Sequence, residues 1–144
     1  MKRYGYFIIT LAITLLPFAG KAQVTKKPGS IVFIEDSWLK ALQQAAAQKK
    51  YIFVDAYASW CGPCKMLKAT TFTNQKAADF FNANFINVSI DMEKGDGPTL
   101  AQQWGIQAYP TLIIFDPNGK VVLGTVGFIG AGDLIRFGKK ALGK

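Results

Sequence analysis

Two cysteines three positions apart, Cys61 and Cys64, are the residues of this chain best suited to do chemistry. They are its only cysteines, and Gly62 and Pro63 separate them. A thiolate at the first turn of a helix meets unpaired N–H groups and the positive end of the helix dipole, which can lower a cysteine pKa from about 8.5 to about 3.5–7.5. Pro63 suits that turn, where its missing N–H is not needed. Because Cys64 lies one turn further along the same helix face, the spacing predicts a redox-active pair.

Two other interpretations of the pair remain open. A structural disulfide fits an exported chain, but a span of four residues closes a very small loop and constrains the unfolded chain little. A metal site would need more ligands, because zinc takes four and the chain has no histidine. Two cysteines could contribute to zinc binding only if the protein dimerised. The missing histidine also excludes Ser-His-Asp and Cys-His catalysis, and we expect neither a metal nor a cofactor.

Length and composition predict one folded domain. The chain has 144 residues, of which 50% are hydrophobic and only 18% charged, so it can bury a core and is not a disordered tail. Its net charge is +8, with 17 basic and 9 acidic residues. The lysines are scattered and form no basic stripe with aromatic residues between them. We therefore expect no nucleic-acid binding.

The first residues have the three-part order of a secretory signal peptide. Two basic residues precede an apolar stretch at residues 7–16, and small residues at 20 and 22 offer a cleavage site. The stretch is short for a membrane span, which needs about 20 apolar residues; an uncleaved membrane anchor is the alternative. We predict a signal peptide at 1–22, a linker at 23–30 and a domain at 31–144. Without Lys2, Arg3 and Lys21 the charge falls from +8 to +5, from 14 basic and 9 acidic residues.

Alternating patterns predict an α/β domain with a mixed sheet and helices on both faces. A terminal hairpin turns at Pro-Asn-Gly. The predicted strands are 31–34, 51–57, 85–91, 111–115 and 121–126. The predicted helices are 38–48, 61–68, 75–82, 99–104 and 130–142; residues 70–73 interrupt the second of these, and 93–98 form a loop.

Among the acidic residues, Asp55 is the one whose pKa we expect to be shifted most. The strand at 51–57 is otherwise apolar on both faces, which is typical of a central strand. Burial there would raise the carboxyl pKa towards values useful for proton transfer. The alternative is an aspartate at the edge of the sheet, facing water.

Four features in order resemble the thioredoxin superfamily over roughly residues 31–142. They are Phe-Val-Asp at 53–55, Trp-Cys-Gly-Pro-Cys-Lys at 60–65, Tyr-Pro-Thr at 109–111, and Val-Gly at 126–127 followed by Gly-Asp-Leu at 132–134. The resemblance implies the thioredoxin fold. It also implies that Cys61 is an exposed nucleophile, that Cys64 resolves the mixed disulfide, and that Asp55 takes the proton from Cys64.

The same resemblance implies a substrate-binding surface around the cysteines. Pro110 would be cis, and backbone groups of Tyr109 would pair with an extended substrate segment. An ordinary trans Pro110 and a core-packed Trp60 are the alternatives. The implied substrate-binding residues are Trp60, Gly62, Pro63, Tyr109, Pro110 and Gly127.

Several positions depart from the small cytosolic members. Asn87 stands where those proteins carry a lysine near the buried acid, so Asp55 would lack a charged neighbour. Threonines at 70–73 replace a helix-kinking proline, the loop at 93–98 is longer, and Tyr109 replaces a small aliphatic residue. Together with the signal peptide, these features resemble secreted and periplasmic thioredoxin-like proteins and the soluble domains of thiol–disulfide interchange proteins.

The resemblance implies a thiol–disulfide oxidoreductase that reduces protein disulfides in the cell envelope. Its partners would be protein thiols and disulfides and a membrane thiol-electron donor, and we expect a periplasmic monomer. A disulfide oxidase or isomerase, and a non-catalytic peptide-binding module, remain the alternatives.

Overall fold

A computed structural model of the chain describes residues 29–143. The predicted signal peptide at 1–22, and the predicted linker up to residue 28, lie outside the described residues. Within 29–143, no helix has both the length and the hydrophobicity needed to cross a bilayer.

Five strands form one sheet: β1 (Ile34–Glu35), β2 (Tyr51–Tyr57), β3 (Phe85–Asp91), β4 (Thr111–Phe115) and β5 (Val121–Val126). Their order in the sheet is β1-β3-β2-β4-β5. The β1/β3 and β3/β2 pairs are parallel, whereas β2/β4 and β4/β5 are antiparallel. The predicted mixed sheet is therefore confirmed.

The first strand differs from its prediction. The sequence predicts a strand at 31–34, but only Ile34 and Glu35 pair with β3. Residues 31–33, before Ile34, do not join the sheet; the Val32 amide donates a hydrogen bond to Asn82 Oδ1 at 2.8 Å instead. An apolar run cannot by itself reveal where ladder pairing stops.

Helices cover both faces of the sheet, as predicted. They are α1 (Trp38–Gln48), α2 (Gly62–Met66), α3 (Gln75–Asn84), α4 (Gly97–Trp104) and α5 (Ala131–Ala141). The bounds of α1 match the prediction, α3 extends two residues further, and α5 is one residue shorter at each end. Helix α4 begins at Gly97 rather than 99, so the loop after β3 is shorter than the sequence suggests.

The helix after the cysteines is not interrupted; it continues into a wider, π-helical turn. Helix α2 continues directly into a π-helical turn (Leu67–Thr71), closed by the Phe72 amide bonding to the Leu67 carbonyl at 2.9 Å. The Thr70 hydroxyl donates to the Met66 carbonyl at 2.8 Å. Such bonds from threonine to an earlier carbonyl bend helices, which accounts for the irregularity predicted at 70–73.

Two hydrophobic cores lie on opposite faces of β2. Ile52, Val54 and Ala56 face α1 and α4, whereas Phe53 faces the π turn, α3 and α5. Asp55 shares the side of Phe53 because side chains alternate along a strand. The carboxyl group therefore lies on the face that the cysteine-bearing helix covers.

Candidate active site

The cysteine pair caps the helix that follows β2. Cys61 is the N-cap of α2, and its Sγ accepts the Cys64 amide at 3.2 Å. The two residues form a disulfide with Cα atoms 5.3 Å apart. Gly62 and Pro63 lie exposed between them at the start of the helix. The predicted helix-start geometry is therefore confirmed, with the helix dipole directed at the sulfur of Cys61.

Cys61 is less accessible than the sequence resemblance implies. Cys61 and Cys64 are each only 2% exposed. Ala58 and Tyr109 pack around them. The expectation of an exposed Cys61 is thus wrong for the disulfide form, because a strand-end turn and the loop before β4 close over the sulfur atoms.

Asp55 is fully buried in the middle of the sheet. It is 0% exposed and has β3 on one side and β4 on the other, so the alternative of a water-facing edge residue is wrong. The Ser89 hydroxyl donates to Oδ2 at 2.9 Å, whereas Oδ1 has no hydrogen-bond partner among the described residues. Burial raises the pKa of Asp55 to about 6, against smaller opposing effects of the Ser89 hydrogen bond and the Lys68 charge.

The neighbours of Asp55 differ from the sequence expectation. Asn87 pairs with Phe53 instead and donates to the Val32 carbonyl at 3.3 Å. Two charges outside β3 nevertheless act on Asp55: the positive charge of Lys68 lowers its pKa, and the negative charge of Glu35 raises it.

The loop before β4 adopts the conformation that the resemblance implies. The Tyr109–Pro110 bond is cis, which rules out the trans alternative. The Gly127 amide donates to the Pro110 carbonyl at 2.8 Å, and Gly127 has φ +95°, a conformation that favours glycine. Tyr109 contacts the cysteine pair, so the structure brings 109, 110 and 127 to the same end of the sheet.

Trp60 forms an exposed rim beside the disulfide. It is 66% exposed, so the core-packing alternative is wrong. Its indole Nε1 donates to both carboxylate oxygens of Glu93, at 3.0 and 2.9 Å. Its ring meets that of Tyr109 edge-on, with centroids 6.0 Å apart. Burial raises the pKa of Tyr109, and the Glu93 charge adds to that effect.

Sequence reasoning missed three residues of this site: Ser89, Lys68 and Glu93. Ser89 carried a signal, because Asp55 and Ser89 take the same place in two parallel strands once the register is known. Lys68 follows Cys64 by four residues and so lies one helical turn beyond it. Glu93 had no sequence signal beyond its place in an unusually long loop.

A helix-capping cysteine pair beside a buried acid of raised pKa can exchange a disulfide for two thiols. No group of three or more His, Cys, Asp or Glu in the described range is arranged to hold a metal ion. The cysteine pair and Asp55 offer sulfur exchange and proton transfer.

Comparisons with known proteins agree with this geometry. The family model described as thioredoxin-like matches residues 34–117. A thioredoxin of Mycoplasma genitalium is 38% identical over 92 residues, which cover 63% of this chain and 82% of that protein. The thiol:disulfide interchange protein DsbD of Pseudoalteromonas atlantica is 30% identical over 128 residues, covering 86% of this chain but only 22% of that protein.

A solved structure extends the similarity to the three-dimensional level. The solution structure of a proposed disulphide-isomerase from Bacteroides thetaiotaomicron superposes with a TM-score of 0.71 at 40% identity, covering 81% of this chain and 96% of that one. Sequence, fold and cysteine pair together indicate thiol–disulfide oxidoreductase chemistry.

Proposed function

Because the chain belongs to the thioredoxin-like family, we propose that it reduces protein disulfides in the cell envelope through Cys61 and Cys64. The observation that carries this proposal is the cysteine pair at the start of α2 beside the buried Asp55, whose pKa is about 6. An acid that titrates there can accept and release protons near neutral pH.

The reaction uses three side chains of the protein, those of Cys61, Cys64 and Asp55, together with the substrate disulfide. In the reduced protein, the Cys61 thiolate attacks one substrate sulfur, a mixed disulfide forms, and the other substrate sulfur leaves as a thiolate. The Cys64 thiol then gives its proton to Asp55 and attacks the Cys61 sulfur. That step releases the second substrate thiolate and forms the Cys61–Cys64 disulfide. Two electrons pass from the protein to the substrate, and the protein must be reduced again.

We assign substrate binding to the exposed residues around the cysteine pair. Trp60 and Tyr109 offer aromatic surface next to the disulfide, and Gly62 and Pro63 expose the start of α2. Backbone groups of Tyr109, before the cis Pro110, would pair with an extended substrate segment, as an added strand pairs with a sheet edge.

Export and electron supply complete the proposal. The signal-like residues 1–22 and the similarity to part of a thiol:disulfide interchange protein support a place outside the cytosol. A reductase there needs electrons from a membrane thiol carrier. Sequencing the N-terminus of the protein from a periplasmic extract should find Gln23 first; a product that begins at Met1 in the membrane fraction would establish the anchored form instead.

Trapping is the direct test of the catalytic pair. The Cys64→Ala variant should accumulate mixed disulfides through Cys61 in envelope extracts, to be identified by mass spectrometry after non-reducing electrophoresis. The Cys61→Ala variant is the matched control and should trap nothing. If neither variant captures a partner, disulfide exchange is not the function.

A disulfide isomerase is the second candidate, favoured by the description of the Bacteroides thetaiotaomicron protein at 40% identity. Refolding of a scrambled substrate separates the two, since an isomerase restores native pairings and a reductase removes them. An equilibrium titration against glutathione gives the direction independently. A potential well above about −180 mV, in the range of isomerases and oxidants, would contradict the reductase.

A further inference from the structure

A row of polar residues crosses the sheet at the level of Asp55. Glu35 of β1 pairs in register with Ser89 of β3, and Ser89 pairs with Asp55 of β2. Residues paired across parallel strands share a face, so the three side chains lie on the side covered by α2 and the π turn. Two strand spacings of about 4.8 Å place the Glu35 backbone about 10 Å from that of Asp55.

The ammonium group of Lys68 lies over the same face. Lys68 sits on the π turn, four residues after Cys64, and its Nζ lies 3.3 Å from the centre of the Tyr57 ring. Tyr57 shares the face of Asp55, two residues or about 6.6 Å further along β2. The contact with the ring holds the ammonium group over the face of β2 that carries Asp55.

We propose that Lys68 and Glu35 are opposed positioning residues, which act through Asp55 and set the pH at which it can take the proton of Cys64. Lys68 favours the ionised carboxylate, and Glu35 favours the protonated acid. This inference rests on the proposed function for its consequence in catalysis, but its physical content, the proton affinity of Asp55, is measurable without any substrate.

The other groups around Asp55 leave this assignment unchanged. Ser89 is neutral and donates a hydrogen bond, and Leu112 of β4, directly opposite Asp55, carries no charge. Asp91, at the end of β3, is already paired with Lys94 at 3.0 Å. The titratable or charged groups near Asp55 on this face are Glu35, the adjacent Asp36, Tyr57, Asp91, Lys68 and the cysteine pair, whereas Lys65 of α2 and Asp79 of α3 are exposed.

The burial of Asp55 explains why two distant charges matter. Water cannot screen a group that is 0% exposed as it screens surface pairs, so charges act on it over longer distances. The pKa of Asp55 responds in the expected directions, downward to Lys68 and upward to Glu35, although burial is the largest influence on it.

The test is a titration of Asp55 in the oxidised protein. The carboxyl carbon of Asp55 is followed by carbon-13 NMR from pH 4 to pH 9 and is assigned by its absence from Asp55→Asn. The midpoint should rise in Lys68→Met and fall in Glu35→Gln, each by about 0.3 unit or more, a twofold change in proton affinity. Methionine keeps most of the packing of the lysine chain on Tyr57.

Two controls separate charge from structure. Lys65→Met removes an exposed lysine from α2, and Asp79→Asn removes an exposed acid from α3; both should leave the midpoint within 0.1 unit of the unmodified protein. A midpoint that stays in place in either test variant, or that moves the same way in both, overturns the proposal. Correctly shifted midpoints in a protein that shows no disulfide-reducing activity even when unmodified would instead count against the proposed function.

Discussion

Replacing Asp55 by asparagine should make the protein more stable at neutral pH. The carboxyl pKa is about 6 in the folded protein, against an ordinary value of 3.8, because burial disfavours the ionised form. The folded state therefore holds the proton more tightly than the unfolded chain. The stability that this proton supplies is present below about pH 4 and is lost as the pH rises through 6.

The size of the effect follows from the gap between the two pKa values. A gap from 3.8 to about 6 corresponds to about 3 kcal/mol of unfolding free energy, at about 1.4 kcal/mol for each unit. Asparagine has nearly the same shape and cannot ionise. Any change in the Ser89 hydrogen bond adds an offset that does not depend on pH.

The assay is urea unfolding of the oxidised proteins at unit steps from pH 4 to pH 8. The stability of Asp55→Asn relative to the unmodified protein should increase by about 2.5 kcal/mol from pH 4 to pH 8, because about 0.5 kcal/mol of the total is already present at pH 4, and most of the increase should occur before pH 7. Asp79→Asn, which removes an exposed carboxylate, should show a far smaller change. A relative stability of Asp55→Asn that is flat with pH, or that falls, would refute the reasoning.

Two further predictions concern the loop after β3. A Cβ at Gly97 would overlap the backbone carbonyl of Asp91, whereas one at Gly130 would meet nothing within 4 Å. Gly97→Ala should therefore lower the unfolding free energy by about 1–3 kcal/mol or more, and Gly130→Ala by far less, as measured by urea unfolding. Glu93→Ala removes both acceptors of the Trp60 indole N–H. The KM for a protein disulfide should therefore rise about 3–10-fold with kcat nearly unchanged, and Glu93→Gln, which keeps one acceptor, should have an intermediate KM. Equal KM values in all three proteins would show that Trp60 needs no such support.

Local sequence information was enough for most elements and for the place of the cysteine pair. The cysteine spacing, the proline between the cysteines and the apolar strand around Asp55 are contiguous features, so they predict helix start, strand and burial together. The cis Pro110 is different, because only the family resemblance implied it; nothing in the residues around it distinguishes the two isomers.

Long-range pairing limited the rest. Ser89 lies 34 positions from Asp55, and a shift of one residue in strand register would turn Ser89 to the other face. Glu93 lies 33 positions from Trp60, in a turn whose path no local pattern predicts. The covering of Cys61 was missed because it depends on Tyr109, which approaches from a separate loop.

The position of β2 also bears on which parts of the protein open locally to solvent. Residues 52–56 have strand partners on both sides, and both cores pack against them. Amide hydrogens in such a strand exchange with solvent only when most of the structure unfolds. The cysteine turn is therefore attached to the part of the protein that opens least often. If the protein cycles between oxidised and reduced forms, as proposed, small movements of the turn and its aromatic rim can accommodate the change while the sheet stays closed.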